Sequence, residues 1–134
     1  MRLPRISRKS AVEVQAARAF NLKNYPRAID RLTELLELVG ENPHTLHMLA
    51  LCHFRQDDDG QALALARRAL LADGRHLESL KLLARLHFLR GEHSQARLHV
   101  ARALALHDTA EDRQWLEWAE AFMAAPTASD DDIP

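Results

Sequence analysis

The four phenylalanines of this chain stand at positions 20, 54, 88 and 122, each 34 residues from the next. A fixed interval of that length constrains the fold strongly, because each copy must be the same supersecondary unit stacked on its neighbours. The interval also links Ala16, Ala50 and Ala84, and again Ala28, Ala62 and Ala96, with Trp118 taking the fourth place in the first alanine series. Between the second and third copies the match widens to Leu46 with Leu80, Leu49 with Leu83, His53 with His87, Ala69 with Ala103 and Leu70 with Leu104. The repeating object is therefore a whole module.

Each module divides into two amphipathic stretches of about 12 to 14 residues, with apolar positions three and four apart and a short polar turn between them. Leu46, Leu49, Ala50 and His53 lie on one helical face of the second module, and Leu63, Ala66, Ala69 and Leu70 on the next. The turns fall at Lys23-Asn24, Asp57 to Gly60 and Gly91-Glu92. Ser10 to Glu13 has the form of a capping box, Asn42-Pro43 reads as an N-cap followed by proline in the first helical position, and Thr109 with Asp112 marks a weaker start. Gly40 and Gly74 stand where second helices should end. With aromatics at 5% and only four glycines in 134 residues, the composition opposes a sandwich or barrel and favours one all-α domain.

These residues resemble the tetratricopeptide repeat family, in which small side chains let two helices approach and large ones fill the space to the next pair. The resemblance runs over about residues 9 to 124 and is best in the second and third modules, at Leu46, Leu49, Ala50, Ala62 and Ala69, then Leu80, Leu83, Ala84, Ala96 and Ala103. The first module departs from the family pattern, with Gln15 in place of a leucine and Leu35 in place of an alanine. The resemblance implies a right-handed α-solenoid of three antiparallel helix pairs, about residues 9–42, 43–76 and 77–110, closed by a capping helix over about 110–124. A basic segment, 1–9, and an acidic tail, 126–134, are expected to flank it without order.

The family uses the concave side, lined by first helices, as a groove for other proteins. The positions that would line it here are Val14, Phe20, His44, His47, Met48, Leu51, Phe54, Arg55, Lys81, Leu82, Arg85, Phe88 and Leu89. Their character is apolar with a mixed rim, which suits a peptide or an amphipathic helix of a partner. The phenylalanines have an equal claim as packing between repeats. Some family members grip acidic C-terminal tails through a clamp of lysine, arginine and asparagine; the matching positions hold Glu13, Ala17, Met48, Glu78 and Leu82, so that clamp is missing. An adaptor or chaperone-like role follows, with a small bacterial secretion-type chaperone as one alternative. Self-association through the helix that carries Trp115 and Trp118 is another.

Other functions find little support in the residues. No glycine-rich phosphate loop, paired carboxylate arrangement or nucleophile elbow occurs, so catalysis and a cofactor are not expected. His44 and His47 lie one helical turn apart without an evident third ligand, which is too few for zinc. Cys52 precedes His53, yet neighbours on a helix diverge by about 100° and do not meet. A net charge of −1 gives no field to attract nucleic acid. No run approaches the roughly 20 apolar residues of a membrane span, no apolar leader core follows the basic start, and one cysteine suits a reducing compartment, so a cytoplasmic location is expected.

Overall fold

The computed structural model describes residues 7–106 and 113–125. Seven helices account for nearly all of them, and no strand occurs among the described residues. They run as α1 (Arg8–Asn21), α2 (Tyr25–Val39), α3 (Pro43–Arg55), α4 (Asp59–Ala72), α5 (Leu77–Leu89), α6 (His93–Leu106) and α7 (Arg113–Ala124). Helices α1 and α2, α3 and α4, and α5 and α6 pack as hairpins, α3 also packs on α2, and α7 packs on α6. The chain divides between Asp73 and Gly74 into two compact units, the first holding α1 to α4 and the second α5 to α7.

Short polar side chains fix where the helices begin. Asn24, Asn42 and Asp58 each accept a hydrogen bond from the backbone N–H three residues on, at Arg27, Thr45 and Gln61. Each satisfies a donor that the first helical turn leaves open. Pro43 follows Asn42 where its missing N–H costs nothing. Helix α1 differs from the sequence expectation. Ser7, not Ser10, is the N-cap, its hydroxyl accepting from the Ser10 N–H at 3.1 Å. The helix thus gains nearly a turn, which brings Arg8 into an ion pair with Glu34 and Lys9 to 3.7 Å from Glu13. The proposed start at Thr109 and Asp112 lies outside the described residues.

The hairpin corners share one device. Lys23, Asp57 and Gly91, at the same place in successive repeats, adopt positive φ of 60°, 61° and 74°. A left-handed residue reverses the chain within a few residues, but only the third corner uses glycine, for which that conformation carries no Cβ penalty. Gly40, at φ 79° and ψ −170°, ends α2 in an extended positive-φ conformation that glycine alone adopts readily. Helix α4 closes one residue before the glycine expected there, with Asp73 as its C-cap.

Small residues hold the helices close. Ala16, Ala50 and Ala84 are buried in first helices, Ala28, Ala62 and Ala96 in second helices, and none has more than a methyl to separate the backbones. In the first unit, Val12, Leu32, Leu46, Leu49 and Leu63 fill the remaining space. In the second, Ala84, Val100 and Ala119 form a cluster onto which Leu104, Trp115, Trp118, Phe122 and Met123 pack. Among the described residues, the fourth copy of the repeat contributes α7, whose large side chains pack on this cluster.

Candidate partner-binding surface

Within the first unit, α1 and α3 carry the outward positions that sequence assigns to a groove. A cavity of about 420 Å³ opens between α1, α2 and α3. Ala17, Leu35, Val39 and Met48 give it apolar walls, while Glu13, Lys9, His44 and Thr45 stand among the other lining residues. Of the expected residues His44 and Met48 reach this cavity. Val14 is exposed but does not line it, Leu51 and Phe54 are half-buried, and Arg55 is exposed. Phe20 sets its ring edge-on to Tyr25 at 5.9 Å, within its own hairpin. His47 is buried, so the two histidines one turn apart do not share a surroundings: His44 is exposed.

The same positions in the second unit are covered from within only in part, and Phe88 itself stays 37% exposed. Phe88 makes edge-to-face contacts with Trp118 and with Phe122, both at 5.6 Å, and with His93 at 5.9 Å. Trp118 and Phe122 stack on each other at 5.3 Å. Lys81 lies under Trp115, its Nζ 5.1 Å from the ring centre and 3.8 Å from Glu78, leaving its side chain 12% exposed. Leu82 is buried, which removes it from the accessible surface, whereas Arg85 and Leu89 remain exposed. Arg97 of α6 donates from its two terminal nitrogens to the carbonyls of Phe122 and Met123, at 3.3 and 3.2 Å. A cation thereby meets the open carbonyls at the end of α7, where the helix dipole is negative.

Two features escaped the sequence reading. A second hollow, of about 350 Å³, lies among α2, α3 and α4, with Leu36, Leu49 and Leu65 beneath a rim of Glu37, His53 and Arg68. The repeated histidines also have repeated partners: His53 Nδ1 is 3.5 Å from Asp58, and His87 Nδ1 is 3.5 Å from Glu92. The signal was present, since Asp58 and Glu92 are themselves 34 residues apart. The Arg90 hydrogen bond, at 2.6 Å, is the main cause holding the Glu92 carboxyl below its ordinary range, with His87 adding to it against a smaller desolvation. His87 stacks on His99 at 5.3 Å, and His99 Nδ1 lies 2.8 Å from the Gln95 carbonyl.

Cys52 is fully buried, and burial pushes its thiol up to about 11, so it stays protonated and unreactive near neutrality. Among the described residues, no three of histidine, cysteine, aspartate and glutamate stand close enough to hold a metal ion. No helix among them is long and apolar enough to cross a membrane.

Residues 21–103 match the family model described as anaphase-promoting complex, cyclosome, subunit 3, whose repeats are of tetratricopeptide type. The chain belongs to that family. Its tetratricopeptide repeats are also similar in fold to solved domains. The first such domain of Spaghetti (RPAP3), bound to the HSP90 peptide SRMEEVD, has a TM-score of 0.76 at 16% identity, over 85% of this chain and 91% of that one. The Sgt2 domain from Aspergillus fumigatus has a TM-score of 0.73 at 20% identity, over 98% and 96%. The TPR2B domain of yeast Sti1, in a pHsp70 complex, has a TM-score of 0.73 at 14% identity, over 86% and 92%. No curated protein matches the chain in sequence. At these identities the tetratricopeptide likeness is one of fold.

Proposed function

We propose that this protein is a protein-interaction module that holds a peptide or an amphipathic helix of a partner on the face formed by its first helices. The open cavity beside α1 and α3 carries this reading, because it leaves apolar walls uncovered where a guest side chain would lose contact with water. Each large apolar side chain buried there contributes about 1.5 to 3 kcal/mol, and several together can exceed the cost of association, roughly 4 to 15 kcal/mol. Met48 and Leu51 on α3 are the anchors, with Val14, His44, Phe54 and Arg55 around them. Arg85 and Leu89 supply the accessible part of the second unit's face.

The structural neighbours from RPAP3 and yeast Sti1 are bound to chaperone-derived segments, which supports peptide holding as the use of this face. The role is that of an adaptor or chaperone in a cytoplasmic setting. Affinity capture with the full chain, compared with Leu51→Glu, tests it. Partner recovery should fall at least about tenfold with helicity unchanged; equal recovery removes the reading. The aromatic side of α7 packs on its own unit, which weighs against self-association through Trp115 and Trp118.

A further inference from the structure

We propose that the cavity between α1, α2 and α3 selects an electrically neutral, leucine-rich amphipathic helix of a partner protein and rejects acidic segments. This rests on the reading that the first-helix face holds a partner segment, and it adds the chemistry of that segment. The argument from charge is direct. Lys9 and Glu13 are the lysine and the carboxylate among the lining residues, and they form an ion pair at 3.7 Å, so their charges offset one another. Glu13, Ala17 and Met48 all line the cavity. They present a carboxylate, a methyl and a thioether to it. An acidic guest would meet repulsion from Glu13 and no unpaired cation.

The walls are also those of an apolar pocket by construction. Leu35 and Val39, one turn apart on α2, line the cavity together with Ala17 and Met48, Leu35 being buried and Val39 exposed. In the later repeats the place of Leu35 is taken by Ala69 and Ala103, so this wall is particular to the first hairpin. At about 420 Å³ the cavity is within the range of ligand-binding sites and has room for more than one side chain. A helix offers two such side chains from positions four apart, and its own backbone groups are already paired.

The probe is a helix-stabilised, uncharged peptide of about 16 residues with leucines at i, i+4, i+7 and i+11. Its companions are the same peptide with glutamates at those sites, the acidic peptide SRMEEVD, and a peptide of the chain's own tail, ASDDDIP. Anisotropy with the full chain should give saturable binding of the leucine peptide at least about tenfold tighter than any acidic one. Amide shifts should cluster at Ala17, Val39 and Met48. Ala17→Glu, at an exposed wall position, should weaken binding about tenfold with unchanged circular dichroism, whereas Arg67→Glu, at an exposed site on α4, should change it by less than about twofold.

Equal or tighter binding of an acidic peptide, or shifts confined to α5 and α7, overturns the proposal. So does concentration-dependent dimerisation that Ala17→Glu abolishes, since the occupant is then a second copy. If the leucine peptide fails while partner capture still depends on Leu51, the neutral-helix inference falls and the interaction reading stands. If both fail, both fall.

Discussion

The first-helix faces of the two units descend from the same repeat and have opposite fates. In the first unit the face opens into a cavity walled by Ala17, Leu35, Val39 and Met48. In the second, Phe88 is flanked by Trp118 and Phe122, and Lys81 lies under Trp115. The difference comes from what α7 carries: where three earlier copies place alanine at positions 16, 50 and 84, the fourth places Trp118. A large side chain at one place of the periodic pattern covers part of the second face, which still leaves Phe88 37% and Leu89 58% exposed.

That contrast can be tested by removing what makes the second face closed. Trp118→Ala deletes a ring that stacks on Phe122 and meets the edge of Phe88, and it should destabilise the second unit by about 3 kcal/mol, less than for a fully buried tryptophan. Urea denaturation followed by hydrogen exchange should place the loss in α5 to α7, with α1 to α4 unchanged; a uniform loss would show that the two faces are not independent. Overpacking the first unit is the converse. Ala50→Leu forces a branched side chain into a fully buried methyl site and should cost about 2 kcal/mol, with protection lost in α3 and α4.

Smaller effects sharpen the comparison. Arg97→Met keeps the stem but removes both hydrogen bonds to the last carbonyls of α7, and should cost about 1 kcal/mol, read as earlier fraying of α7 and greater exposure of Trp118 to fluorescence quencher. Glu92 gives an acid-side signature. Its folded carboxyl is held below the 4.5 of an ordinary glutamate, so its contribution is complete above that pH and is lost as the pH falls through the lower folded value. Glu92→Gln should flatten the second unit's loss of stability in that acid window and leave its stability near neutrality slightly reduced, because the group is 40% exposed and screened by solvent.

Much of this architecture was legible because periodicity survives in one dimension. The alanine series fixed which helices pair, and Asn42-Pro43 fixed the start of α3 to the residue. The start of α1 was misplaced because Ser7 and Ser10 are chemically equal caps in sequence, and only the Ser10 N–H to Ser7 hydroxyl bond distinguishes them. The candidate surface was less legible. Leu82 and Lys81 share an exposed-looking stripe with Leu89, yet Leu82 is buried and Lys81 is covered by Trp115, a full repeat further along the chain. Leu35 stood out as a departure from the repeat, but that it walls a cavity with Met48 is a fact of three helices, not of one.

The positive φ at Lys23, Asp57 and Gly91 has a consequence for how the corners can vary. Charge is immaterial there, since a cation, an anion and no side chain at all serve in turn. Branching at Cβ is what the left-handed bend rejects, because valine or isoleucine would press its extra methyl against the neighbouring carbonyl. A saturation screen at positions 23 and 57 should therefore sort residues by shape near the backbone, accepting glycine and asparagine first and β-branched residues last, whatever their polarity.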